Sequence, residues 1–125
     1  MDLILPSTYS IEEQAEIQRQ YQVLIASGKL CKSPQDIEQV TQALVLAADA
    51  HKKARRESGE PYICHPIAVA LILANEMGLG KISIISALLH DVVEDTEHTL
   101  DEIREVYGEK VAKIVDGVTK LDMVD

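Results

Sequence analysis

Hydrophobic residues recur every three to four positions along most of this chain, which is the spacing of one face of an α-helix. The clearest stripe consists of Ile37, Val40, Leu44, Ala47 and Ala48. No segment alternates hydrophobic and polar residues as a half-buried strand would. The pattern therefore predicts an all-α fold.

Capping residues, proline and glycine indicate where the helices begin and end. Ser10 with Glu13, and Thr99 with Glu102, match the capping box, and Ser33-Pro34 places an N-cap before a proline at the first helical position. The predicted helices run from Ser10 to about Ser27 (stopped by Gly28), from Pro34 into Ala54 or Arg56, from after His65-Pro66 to Met77, from Lys81 to about Asp95, from Thr99 to Tyr107 and from Glu109 to about Lys120.

Composition narrows the class of protein. The chain has 125 residues, enough for one domain with a modest core. Hydrophobic residues make up 46% but aromatic residues only 3%, so the core must be aliphatic. The net charge of −9 argues against a nucleic-acid or anionic-membrane surface. Cys31 and Cys64 have no disulfide or zinc spacing, which predicts reduced thiols in a cytoplasmic protein, and no apolar run approaches the roughly 20 residues that span a bilayer.

The densest chemistry follows the apolar run Ile82–Leu89. His90 and Asp91 are adjacent there, and Glu94 and Asp95 come within the next turn and a half. On a helix these four side chains share neighbouring faces, and crowded carboxylates call for a cation. Imidazole nitrogen and carboxylate oxygen suit a divalent metal, with Glu94 and Asp95 as general acid–base groups beside metal-bound water. The alternative for Glu94 and Asp95 is a solvated helix end.

A metal between His90 and Asp91 needs further ligands, because adjacent helical residues point about 100° apart and cannot enclose an ion. His65, at the start of another helix and followed by Pro66, is the best candidate. Alone it would be read as a capping or core histidine, but the His90-Asp91 pair favours a ligand. His51, in a charged helical stretch, and His98, in a loop, are predicted to have no metal role.

A basic segment, Lys52–Arg56, carries four cations in five residues. Cations near a helix carboxyl terminus interact favourably with its dipole, which accounts for one or two of them. The segment also leads directly to Tyr62 and His65, so its guanidinium groups could hold phosphates or stack on a base near the metal.

Three segments, Arg55–Ala70, Ala87–Thr96 and Val115–Leu121, together resemble the amino-terminal HD hydrolase domain of the RelA/SpoT family of alarmone enzymes. The resemblance covers about residues 45–121, with residues 1–33 as an amino-terminal helix and linker. It implies an HD-domain helical bundle, present in part. It also implies Mn²⁺-dependent hydrolysis of the 3′-pyrophosphate of (p)ppGpp to GDP or GTP in the stringent response, with a synthetase domain following in the parent chain.

The resemblance also assigns roles to individual residues. Two acidic residues match the pair that positions or activates the attacking water, and two loop residues match positions that hold the guanine nucleotide. The implied metal ligands are His65, His90 and Asp91, the water-handling pair is Glu94 and Asp95, and the nucleotide-binding residues are Arg56 and Ser58.

The chain departs from the family pattern at three places. Glu57 stands where the family usually has lysine, and Lys53-Ala54 replaces a common Gly-Gln. No Leu-Ala-Asp-Arg-Leu-His-Asn segment, which carries the family's fourth metal ligand, is present. The sequence is therefore expected to be a truncated hydrolase domain that binds metal weakly and hydrolyses poorly by itself.

Three other functions stay open: an HD phosphohydrolase of another nucleotide, a regulatory hydrolase-like module controlling an attached synthetase, and a plain helical interaction domain. Nothing in the sequence indicates an oligomeric state.

Overall fold

The computed structural model describes residues 2–27 and 33–122, apart from the side chains of residues 119, 121 and 122. These residues form six helices: α1 (Ile11–Ile25), α2 (Pro34–Ala50), α3 (Cys64–Asn75), α4 (Lys81–Asp95), α5 (Leu100–Tyr107) and α6 (Glu109–Asp122). β-pairing within the same residues is confined to one isolated bridge between Arg55 and Pro61. The predicted all-α fold is confirmed. Gly28, the predicted stop of the first helix, and Cys31 lie outside the described residues.

The predicted capping residues begin three of the helices. At α1 the Glu13 amide donates to Ser10 Oγ over 3.1 Å, and the Ser10 amide donates to Glu13 Oε1 over 2.8 Å, which is a complete capping box. Ser33 accepts from the Asp36 amide before α2. Thr99 accepts a hydrogen bond from the first turn of α5. These contacts satisfy amide groups that have no partner inside the helix.

The prediction for the end of α2 was wrong, because the helix stops at Ala50 and not at Ala54 or Arg56. After the His51 amide bonds to Ala47, the amides of residues 52 and 54 bond three residues back, as in tight turns. The physical reason lies in the side chains that follow. The stretch after His51 is charged and has no residue to extend the buried stripe, and tertiary packing is what stabilises most helices.

Helix α3 begins before Pro66, at Cys64, and ends at Asn75 instead of Met77. Proline is tolerated at the third helical position because the amides of the first turn have no helical acceptor. The predicted stop is supplied by Gly78, whose φ of 64° is left-handed, the conformation that glycine adopts most easily.

Helix α4 is the central element, since it packs against α2, α3 and α6. Helix α1 contacts α2 and α3, and α5 packs on α6. The core is aliphatic apart from two tyrosines, Tyr9 and Tyr21. Among the described residues, no helix combines the length and apolarity needed to cross a membrane.

Two of the apolar residues of α1 are exposed. Ile11 is 83% exposed and Ala15 is also on the surface, whereas Ile17, Tyr21 and Leu24 are buried. At 100° per residue, residues 11 and 15 lie roughly 120° and 160° around the helix from residue 17. The buried stripe of α1 is therefore narrower than the set of its apolar residues.

Candidate functional site

Helix α4 carries the His90-Asp91 pair out of the hydrophobic core. The residues from Ile84 to Leu89 are all buried, so the end of the helix is held firmly by packing. His90 Nδ1 lies 2.8 Å from the Ala87 carbonyl oxygen. Because a carbonyl oxygen only accepts, Nδ1 must donate, and in a neutral ring Nε2 then carries the lone pair.

The two candidate ligands face one another. His90 Nε2 lies 3.2 Å from Asp91 Oδ1, and the two side chains are 17% and 11% exposed. With Nδ1 as the donor, this is a close contact between two acceptors, which repel unless a proton or a cation lies between them. The Nδ1 hydrogen bond to a backbone carbonyl is also the usual way in which a metal-binding histidine is oriented. The predicted pair is thus suited to a cation.

Tyr62 contacts the second oxygen of the Asp91 carboxylate. Its hydroxyl donates a hydrogen bond to Asp91 Oδ2. Burial raises the pKa of the Tyr62 hydroxyl, and the hydrogen bond to the Asp91 carboxylate raises it further. Tyr62 therefore stays a neutral donor at all physiological pH values, and both oxygens of Asp91 are engaged.

His51 was predicted to have no metal role, from a position in the middle of a charged helix, and the structure places it instead at the end of α2. It is the C-cap of α2, only 2% exposed, and its ring centroid lies 4.9 Å from that of Tyr62. Burial lowers the pKa of His51, while the negative charges of Asp91 and Asp95 oppose that shift. One sequence signal could have found it: residues 44, 47, 48 and 51 continue the spacing of the buried stripe.

His65 lies on the first turn of α3, and its ring centroid is 6.0 Å from that of Tyr62. It shares a groove of about 360 Å³ with His90. The rest of the groove is mostly apolar and is lined by Val69, Leu73, Leu79, Ser83, Ser86, Ala87, Ile114 and Val118. Within the part of the chain that the structure describes, no three His, Cys, Asp or Glu side chains are close enough to hold a metal together. His65 thus reaches the groove but does not complete a three-ligand cluster.

Glu94 and Asp95 are exposed in the last turn of α4. Asp95 lies close enough to His51 for its negative charge to oppose the lowering of the His51 pKa by burial. Asp95 also lines a polar cleft of about 510 Å³ toward α5, together with His98. The His98 ring lies between the two helices, with Nδ1 3.0 Å from Glu102 Oε2. Asp95 therefore lines a different cleft from the groove of His65 and His90, about one turn beyond the His90-Asp91 pair on the same helix.

The basic segment is an exposed loop and not a helix end. The Arg56 amide donates to the Glu60 carbonyl over 2.9 Å, and the Gly59 amide donates to the Arg56 carbonyl over 2.8 Å. The Arg56 guanidinium lies 3.7 Å from the Glu60 carboxylate and is 44% exposed, while Ser58 is on the surface. The loop thus presents both predicted nucleotide-binding residues to solvent.

Arg55, unlike Arg56, forms contacts with the segment around the start of α1. Its guanidinium pairs with the carboxylate of Glu13 and donates to the Thr8 carbonyl over 3.2 Å. Glu13 is the residue that closes the capping box of α1. Arg55, one of the four clustered cations, therefore connects the loop to α1 through this ion pair.

The family model described as the HD domain matches residues 43–125. The chain therefore belongs to the HD domain family, and its helical architecture agrees with that membership.

Similarity to individual proteins indicates which branch of the HD domain family the chain resembles. The chain is 50% identical over 91 residues to the guanosine-3′,5′-bis(diphosphate) 3′-pyrophosphohydrolase of Aquifex aeolicus, covering 73% of this chain and 13% of that protein. It is 51% identical over 90 residues to the bifunctional (p)ppGpp synthase/hydrolase SpoT of Escherichia coli K12, covering 71% and 13%. Identity to a probable GTP pyrophosphokinase of Mycobacterium leprae is 46% over 101 residues, covering 81% and 13%. The resemblance to the RelA/SpoT family is confirmed, and the chain spans about 13% of the length of these relatives.

Proposed function

We propose that this HD domain binds a divalent cation at His90 and Asp91, with His65 as a further ligand, and hydrolyses the 3′-pyrophosphate of (p)ppGpp. The observation that carries the proposal is the 3.2 Å approach of His90 Nε2 to Asp91 Oδ1, with the other ring nitrogen committed to Ala87. Hard and borderline divalent cations prefer such nitrogen and oxygen ligands. The names of the relatives supply the substrate class.

The proposed reaction is the transfer of a pyrophosphoryl group from the 3′-oxygen to water. A bound divalent cation would offset charge on the pyrophosphate and make water more acidic. Glu94 and Asp95 follow the pair within about one turn of α4, and one of them would take the proton of the attacking water. The water oxygen forms a bond to the phosphorus next to the 3′-oxygen, the bond from phosphorus to that oxygen breaks, and the 3′-oxygen leaves with a proton. The products are GDP or GTP and pyrophosphate.

The exposed loop would hold the nucleotide. Arg56 offers a guanidinium that can form paired hydrogen bonds with phosphate or stack on the guanine base, and Ser58 offers a hydroxyl. Glu57 lies in the same exposed stretch and adds a negative charge beside them. The loop joins α2 to α3, so the nucleotide would lie between it and the end of α4.

The metal part of the proposal is tested by replacing Asp91 with Asn and titrating Mn²⁺ by calorimetry. Loss of a charged ligand should lower Mn²⁺ affinity by more than the roughly 10–100-fold that removal of a supporting group costs, while the amide oxygen can still accept from Tyr62. The matched control is Asp101→Asn on α5, whose carboxylate is 91% exposed and paired with Arg104. Equal affinity of the Asp91 variant and the control would contradict the proposal.

The substrate is tested with a panel of ppGpp, pppGpp, GTP and ATP, by measuring released pyrophosphate and phosphate with and without Mn²⁺. We expect slow, Mn²⁺-dependent pyrophosphate release from ppGpp or pppGpp and none from GTP. Fast turnover by the 125 residues would contradict the predicted weak activity. Preference for a different nucleotide would favour another HD phosphohydrolase. Three further points stay predictions: that the metal is Mn²⁺, that a synthetase domain follows in the parent chain, and that the protein is cytoplasmic.

One comparison favours a second candidate, a regulatory module that controls a (p)ppGpp synthetase. The relative from Mycobacterium leprae is named for pyrophosphate transfer to GTP and not for hydrolysis. This candidate would be supported if the chain binds ppGpp but releases no pyrophosphate from it with any divalent metal tested.

A further inference from the structure

We propose that Tyr62 is a positioning residue for the candidate metal site, which holds one oxygen of Asp91 so that the other faces His90. The proposal rests on the proposed function, because it concerns the same metal. It adds a residue to which the family resemblance assigned no role.

The hydrogen bonds of Asp91 define the orientation of its carboxylate. Oδ2 accepts from the Tyr62 hydroxyl, and Oδ1 lies 3.2 Å from His90 Nε2. A carboxylate that is free on one side can rotate about its Cβ–Cγ bond, which has broad preferences. The Tyr62 hydrogen bond removes that freedom before any cation arrives. Ligating carboxylates are commonly held by such a second hydrogen bond, which contributes to metal affinity.

Tyr62 is itself held from three directions. Its amide donates to the Ala54 carbonyl over 3.0 Å, which closes the exposed loop. Its ring lies against the buried His51 ring at 4.9 Å and, tilted by 55°, beside His65 at 6.0 Å. Tyr62 therefore links the carboxyl end of α2, the start of α3 and the end of α4. A side chain with so many neighbours can fix the position of its hydroxyl.

The same contacts connect the loop to the metal ligands. Tyr62 follows Pro61, which pairs with Arg55 in the isolated β-bridge. A displacement of the loop by a nucleotide would therefore be transmitted through Tyr62 to the Asp91 carboxylate. Tyr62 thus positions a ligand without touching the cation or the substrate.

The first experiment replaces Tyr62 with Phe, which removes only the hydroxyl, and is done without metal. The ¹³C resonance of the Asp91 carboxyl carbon should shift at neutral pH, because its hydrogen bond is lost. The matched control is Tyr21→Phe. That tyrosine is fully buried, and its hydroxyl lies 2.7 Å from Thr41 Oγ1, between α1 and α2. The control should leave the Asp91 resonance unchanged, and an unchanged resonance in the Tyr62 variant would overturn the inference.

The second experiment titrates Mn²⁺ into the unaltered chain and both variants. Tyr62→Phe should lower the affinity about tenfold, at the lower end of the loss seen when such supporting groups are removed. Tyr21→Phe should not change it. A shifted Asp91 resonance with unchanged Mn²⁺ affinity would overturn the positioning role. Failure of the unaltered chain to bind Mn²⁺ would contradict the proposed function instead, and the metal-free resonance distinguishes the two failures.

Discussion

The end of α4 and the loop between α2 and α3 form the two halves of the candidate site, and they are built in opposite ways. His90 and Asp91 follow a run of six buried residues on α4, the helix that packs against α2, α3 and α6. Arg56 and Ser58 lie on an exposed turn that is held by two backbone hydrogen bonds and the Arg55–Glu13 pair. The half that would bind metal therefore follows directly on the packed core, and the half that would bind nucleotide is exposed to solvent. Ligand-binding loops are commonly exposed segments with few buried apolar contacts.

The largest effect on the folded state should come from Leu88→Ala, since Leu88 is fully buried in α4. Removing it leaves a cavity in the core, which should lower the free energy of unfolding by about 2–5 kcal/mol. Urea unfolding followed by circular dichroism measures the loss. As a control, Val106→Ala on α5, where the side chain is 59% exposed, should cost much less. Equal losses would mean that α4 is not the central packing element.

A smaller effect is expected from Tyr9→Phe. Tyr9 is 1% exposed and donates to the Ala48 carbonyl over 2.6 Å, and its burial raises the pKa of the hydroxyl to about 12. Losing one buried hydrogen bond should reduce the free energy of unfolding by about 1 kcal/mol. Tyr9 anchors the segment that carries Thr8, so hydrogen exchange in the 52–62 loop should also accelerate. No change in the urea midpoint would contradict this anchoring role.

Glu13→Gln should loosen the loop with little effect on α4. The hydrogen bond from Arg55 lowers the pKa of Glu13 below its ordinary value of 4.5. A lowered pKa means that the contact contributes fully above about pH 4.5 and is lost as the pH falls through the lower folded value. Protection factors of the 52–62 amides, measured by hydrogen exchange, should therefore fall with acid in the unaltered chain and be low at neutral pH in the variant.

Glu16→Gln is the matched control for Glu13→Gln, since Glu16 is on the same helix and pairs with Arg19. Its removal should leave the protection of the loop unchanged. If both variants loosened the loop equally, the Arg55–Glu13 pair would not be what fastens it.

The smallest effect on folding is expected from Arg56→Gln, whose side chain is half exposed. The free energy of unfolding should change by no more than about 0.5 kcal/mol. If the proposed function holds, affinity for ppGpp should fall roughly tenfold through loss of charged hydrogen bonds, as measured by calorimetry. Arg104→Gln, on α5 away from the loop, should leave the affinity unchanged. A large loss of stability in the Arg56 variant would contradict the contrast between the two halves.

The hydrophobic pattern predicted α4 with its observed bounds, Lys81–Asp95, because the helix is apolar along a long run and is followed by a clear break. The end of α2 was mispredicted, since nothing local separates a helix from a series of turns in a charged stretch. The Tyr62 hydrogen bond to Asp91 joins residues that are 29 positions apart. No local pattern could indicate that contact.

The sequence by itself determined the helical fold, the capping residues and the adjacent His90-Asp91 pair, because propensity, periodicity and i,i+4 spacing are local properties of the chain. The tertiary structure alone decided which groups surround that pair. His51 is buried, Tyr62 is a carboxylate partner and Arg55 is engaged by Glu13 because α1, α2 and α3 pack where they do. Those contacts depend on how distant helices meet, and this is settled by burial of the whole core and not by any one segment.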